Sequence, residues 1–122
     1  MELDSQLKMG HSKSVNTLKF SPITSLFLAS GSDDGKIIIW TKRERIKKFG
    51  SSEKIITWAE FKVLFGHTKE VYEIKWFDGE NNLISGGHDF SIIIWDVPKA
   101  RPIIRYFKIK KITKDLKNII IL

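Results

Sequence analysis

Two sets of side chains in this sequence have the types of a nucleophilic relay: Ser30 with His11 and Asp34, and Ser85 with His67 and Asp89. A hydroxyl, an imidazole and a carboxylate in sequence can pass a proton and activate the hydroxyl oxygen. The setting argues against that use. A nucleophilic serine needs an exposed oxygen and donors for an oxyanion, whereas Ser30 closes the apolar run SLFLAS (25–30). Both sets would also have to be catalytic. Three histidines with no carboxylate at ligand spacing and no cysteine make an equally poor metal site. No catalytic residue, cofactor or metal is therefore expected.

The duplication is the stronger signal. Residues 10–41, GHSKSVNTLKFSPITSLFLASGSDDGKIIIWT, are repeated nearly position for position by residues 66–96, GHTKEVYEIKWFDGENNLISGGHDFSIIIWD. Each copy begins with Gly-His, and each has an Asp six places before a Trp (34 to 40, 89 to 95).

Strands must position these residues. In the first unit, 14–20 (SVNTLKF) alternates as a half-buried strand does, and Ser21-Pro22 ends it. The run 25–30 predicts a strand covered on both faces. Gly31 to Gly35 (GSDDG) is a tight turn, and 36–40 (KIIIW) is a third, β-branched strand. The polar, basic stretch 42–60, with Gly50-Ser51-Ser52 at its middle, is expected to be an insertion loop before a fourth strand at 61–65. The second unit repeats the plan with strands at 70–76, 82–86, 91–95 and 103–107 and turns at Asp78-Gly79 and 86–89. Ile37 to Ile39 and Ile92 to Ile94 are expected to be buried between neighbouring sheets. Residues 2–8 read as an outer strand or a tail.

Composition narrows the class. The 122 residues are 42% hydrophobic and 29% charged, which fits a globular chain rather than a disordered one. Glu2 and Asp4 stand where a leader would be apolar or basic, and no apolar run approaches the roughly 18 residues of a spanning helix. A soluble, intracellular protein without a membrane role is the expectation. The net charge of +7 and pI of 9.7 raise acidic or nucleic-acid partners.

A Gly-His, a strand Ser, a turn Asp and a strand-ending Trp, twice over, resemble the WD40 repeat, whose period is about 40 to 45 residues. The histidines here are 56 apart (11 to 67), so the surplus falls in 42–60. The resemblance implies an all-β propeller fragment of about two four-stranded blades over 1–107. Residues 108–122, rich in Lys and Ile, would be a tail or the start of a degenerate third blade. It also implies a buried hydrogen-bond relay in each unit: Asp34, His11, Ser30 and Trp40, then Asp89, His67, Ser85 and Trp95. Thr41 departs from the pattern where a closing Asp is usual.

The wording of the repeats, with Val15-Asn16, Phe20-Ser21-Pro22, the Trp58 segment and Val71-Tyr72, is similar to the middle WD40 subunits of chromatin assembly factor one and the HIR-type histone regulators. That resemblance implies a nuclear, non-enzymatic scaffold for histone H3-H4 deposition during replication. Its implied partners are a large acidic subunit and a small histone-binding subunit. Candidate partner-surface residues are Asp33 and His88 in the turns and Lys42, Arg43, Arg45, Lys47 and Lys48 in the insertion. A basic chain repels basic histones, so contact with H3-H4 is expected through the complex. A WD40 scaffold in another pathway, or direct nucleic-acid binding through the insertion and tail, are the alternatives. Two blades leave strand edges and apolar faces uncovered, so the expectation is a fragment, or a propeller completed by other chains.

Overall fold

The computed structural model describes residues 10–106, 109–111 and 120–121. Four antiparallel strands, β1 (Val15–Phe20), β2 (Phe27–Ser32), β3 (Ile37–Ile46) and β4 (Lys54–Leu64), form one sheet in that spatial order. β5 (Val71–Phe77), β6 (Asn82–Gly87), β7 (Ile92–Asp96) and β8 (Arg101–Tyr106) form a second sheet of the same plan. β9 (Ile109–Lys111) and β10 (Ile120–Ile121) make a separate antiparallel pair. The fold is all-β, with two four-stranded blades, as the repeat implied.

The turns follow local chemistry. Asp78 and Gly79 take φ values of 49° and 65°, which an aspartate and a glycine tolerate better than a bulky residue. Ser25 also has positive φ, at 56°, and Leu26 is exposed, so β2 begins at Phe27 rather than at Ser25. β8 carries Pro102, which is accommodated because β8 is the last strand of its sheet.

The stretch 42–60 is not a loop. β3 and β4 run on past the rest of the sheet as a paired ribbon, with Lys42 opposite Trp58 and Ile46 opposite Lys54. Only residues 47–53 connect them. Ile46, Ile55, Ile56 and Thr57 are β-branched and suit an extended backbone, and the ribbon satisfies main-chain groups that a free loop would leave to water. Phe61 lies within β4 but is about half exposed, and Phe65 falls outside the strand. The expected strand or tail at 2–8 and the end of the expected strand at Phe107 lie outside the described residues, as does most of 108–122.

Period-two alternation sorts the apolar residues onto two faces of the first blade. Ala29, Ile37 and Ile39 face the second blade and join Ile74, Trp76, Leu83, Ile93 and Trp95 in one buried cluster. Leu28, Ile38 and Trp40 lie on the opposite face and pack with Trp58 and Val63. Ile37, Ile38 and Ile39 are fully buried, whereas Ile94 is only half-buried because no described blade lies on its face.

Polar contacts seal the seam between the blades. Thr17 Oγ1 donates to Glu73 Oε1 at 2.8 Å, Asn16 Nδ2 to Val71 O at 3.0 Å, and Trp76 Nε1 to Lys19 O at 3.0 Å. Gly35, at φ 83°, approaches so closely that a Cβ there would lie 2.9 Å from His67 O. The blades therefore pack as one body.

Candidate interaction surface

Each Gly-His lies against the Trp carried by the third strand of its blade, Trp40 in β3 and Trp95 in β7. A Cβ on Gly10 would sit 2.5 Å from the Trp40 ring, and one on Gly66 would sit 2.6 Å from the Trp95 ring, so only glycine fits. The following histidine is thereby turned inward, and His11 and His67 are both buried.

The structure brings each set of four together. His67 Nδ1 is 3.1 Å from both Asp89 oxygens, His67 Nε2 is 2.7 Å from Ser85 Oγ, and Trp95 Nε1 donates to Ser85 Oγ at 2.8 Å. In the first blade the distances are 3.0 Å from His11 Nδ1 to Asp34, 2.7 Å from His11 Nε2 to Ser30 Oγ, and 2.8 Å from Trp40 Nε1 to Ser30 Oγ.

One proton arrangement satisfies every atom. The imidazole Nδ1–H donates to the carboxylate, the serine O–H donates to Nε2, and the indole N–H donates to the serine oxygen. Burial holds the His67 imidazole below the ordinary histidine value; the Asp89 charge and hydrogen bond oppose this in part, and the Arg105 charge adds to it. A neutral ring is what that arrangement requires.

The carboxylates are held from several sides. Burial raises the Asp89 pKa, but bonds from Ser91, from the Thr68 N–H and from His67 outweigh it and keep the group below the usual range. At Asp34 burial is likewise outweighed, by the Lys36 N–H, by His11 and by the Ser12 N–H.

This order of Asp, His and Ser has the connectivity of a hydrolytic triad, yet it cannot attack a substrate. Ser30 and Ser85 have no exposed surface, and each oxygen already accepts an indole proton. The relay ties two strands, the turn between them and the loop before the blade's first strand together in each blade. Among the described residues no group of three His, Cys, Asp or Glu is placed to hold a metal ion.

The seven candidate surface residues do not form one surface. Asp33 follows the end of β2 and accepts from Asn16 Nδ2 at 2.6 Å. His88 follows the end of β6, is exposed, and has Nδ1 2.5 Å from the Tyr72 hydroxyl. Phe90 stacks against it with a ring separation of 5.9 Å. Lys42, Arg43, Arg45, Lys47 and Lys48 lie at the other end of the first blade, where Lys42 N–H donates to Leu26 O beside the start of β2. In this basic group, Lys42 pairs with Glu44 at 3.2 Å and Lys47 with Glu53 at 3.4 Å.

Asn16 and Tyr72, which touch Asp33 and His88, are surface residues that the sequence reading misses. Each is the extra residue of a β-bulge, between Val15 and Thr17 and between Val71 and Glu73. A bulge re-aims the side chain it carries. A signal is present in the spacing: Val15 to Leu18 and Val71 to Ile74 are steps of three, an odd interval in a strand of period two.

Comparison with known proteins covers about three quarters of the chain. The family described as "WD domain, G-beta repeat" matches residues 4–41 and 58–96. The chain is 38% identical over 101 residues to the B-type subunit of chromatin assembly factor 1 from Mus musculus, an overlap covering 76% of this chain and 18% of that protein. It is 38% identical over 91 residues to protein hir1 of Schizosaccharomyces pombe, covering 70% and 10%. Against the FAS2 homolog of chromatin assembly factor 1 from Oryza sativa subsp. japonica, identity is 39% over 90 residues, covering 74% and 16%. The chain thus spans less than a fifth of the length of these relatives.

Proposed function

The chain belongs to the WD40 family of G-beta repeats, and from that premise we propose that it is a non-enzymatic scaffold within a nuclear histone chaperone assembly. The observation that carries this reading is the 38% identity to the mouse chromatin assembly factor 1 protein, which extends over 76% of the chain. In the finer form of the proposal, the assembly deposits H3-H4 during replication, and this chain meets a large acidic subunit and a small histone-binding subunit. Histones are reached through those subunits, because a chain of net charge +7 gains nothing from approaching a basic surface directly.

The relays support a scaffold role physically. They commit the Ser, His and Asp side chains to holding the blades, and leave the bulge residues, the turns and the β3–β4 ribbon to meet partners. WD40 scaffolds in other pathways share that division, and the basic ribbon keeps direct nucleic-acid binding as a second reading.

Affinity purification of the tagged full chain from nuclear extract tests the proposal. Recovery of H3-H4 together with a large acidic subunit supports it. Recovery of an unrelated complex places the scaffold elsewhere. Tight binding to purified duplex DNA without protein partners, falling steeply with salt, favours the nucleic-acid reading.

A further inference from the structure

β3 outruns its neighbour. β2 pairs with it only as far as Phe27 opposite Thr41, after which Lys42 N–H donates to Leu26 O at 2.8 Å and the chain before it turns away through Ser25. From Arg43 to Ile46 the strand is paired on one side, with Thr57 to Lys54 of β4. Main-chain groups alternate in direction along an antiparallel strand. Since the Lys42 N–H points to the β2 side, those of Glu44 and Ile46 point there as well. Among the described residues no strand receives them.

Side chains give this edge a sign. Glu44 lies on one face, with its carboxylate 3.2 Å from Lys42 and 3.8 Å from Lys54. Arg43 and Arg45 lie on the other face, both exposed, and no described carboxylate pairs with either. They border, with Glu44 and Thr57, a hollow of about 370 Å³. Two residues of strand separate their Cα atoms by about 7 Å.

We propose that the free edge Arg43–Ile46 takes up an extended acidic protein segment as an added strand, with carboxylates two residues apart set beside Arg43 and Arg45. An added strand has the same rise as β3, so alternate acidic side chains meet both arginines in register. The peptide groups of Glu44 and Ile46 supply main-chain bonds that fix the register, as in other strand additions. The phosphates of duplex nucleic acid would accept from the arginines and the N–H groups but offer no donors to the carbonyls of Glu44 and Ile46, whereas a strand satisfies both, which is why a peptide is favoured. The inference holds whichever assembly the scaffold serves, so its failure and that of the histone chaperone reading are separate results.

The test uses the full chain and a fluorescent peptide of about ten residues with Glu at alternate positions and Thr between them. Binding is expected, and the double variant Arg43→Ser, Arg45→Ser should weaken it about tenfold or more, a loss of at least ~1.4 kcal/mol. Both sites are exposed, and an unchanged circular dichroism spectrum checks that the variant folds. A peptide with N-methylated alternate amides, tried in both phases of the alternation, should bind about tenfold more weakly in one phase only. Equal binding of all the peptides would reduce the effect to charge attraction and overturn strand addition. Absence of peptide binding, or tight binding of duplex DNA that alone depends on the two arginines, would overturn the proposal outright.

Discussion

At His67 a neutral ring sits between a carboxylate and a hydroxyl, and both neighbours depend on its staying there. Replacing His67 or Asp89 by Ala strands buried donors and acceptors, at a cost of about 1–3 kcal/mol each. Lys69→Ala, on the exposed stretch nearby, is expected to stay within about 0.5 kcal/mol. Denaturant midpoints separate the cases, and equal midpoints would mean the relay does not hold the blade. Acid should act through the same groups. The His67 pKa is lower folded than its ordinary 6.5, so the unfolded chain binds more protons as the pH falls through that value. Stability from His67 is full above about pH 6.5 and is lost below it, down to the folded pKa. Asp34 and Asp89 are lowered from 3.8, so their contribution is present above that value and is lost as pH falls through their folded pKa values. The melting temperature is expected to fall from about pH 7.5 to about pH 5.5, and less steeply in His67→Gln. A flat profile in the unsubstituted chain would contradict this.

The strands were legible wherever one face is buried. Alternation marked β1 and β5, and the apolar runs of Ile marked β3 and β7, because a buried face demands a fixed pattern of side chains. The β3–β4 ribbon was illegible for the same reason. Beyond Thr41 most of its side chains are exposed or half-exposed, so no apolar rhythm distinguishes it from a loop. The seam between blades was not visible either, since its bonds join residues 55 to 57 positions apart. Trp76 tests the seam. Trp76→Phe keeps an aromatic ring, as Phe20 has at the same place in the first blade, but leaves Lys19 O without its donor. A loss of about 1 kcal/mol is expected, read as a lower denaturant midpoint; an unchanged midpoint would show that water replaces the indole.

For the whole molecule, the outer faces matter as much as the core. Ile84, Ile94 and Ile104 stand in a row across β6, β7 and β8 on the side of the second blade away from the first. Ile104 and Tyr106 are substantially exposed there, as are Leu18 and Phe20 at the other end of the two-blade stack. An uncovered apolar sheet face seeks another surface. The chain by itself is expected to associate as its concentration rises, with Ile94→Lys plus Ile104→Lys reducing the effect. Sedimentation equilibrium measures it, and a constant monomer mass across concentrations would show that these faces are not adhesive.

The sequence alone determined the repeat and the all-β class, and its resemblance to the WD40 repeat implied the residues of both relays, because Gly, His, Ser, Asp and Trp recur at the same spacing in both copies. Only the tertiary structure decided which blade face meets which, that Asp33 and His88 lie at the opposite end from the basic residues, and that 42–60 is mostly ribbon. Those outcomes depend on contacts between distant positions and on exposed strands, where neither burial nor local pairing writes a pattern into the order of residues.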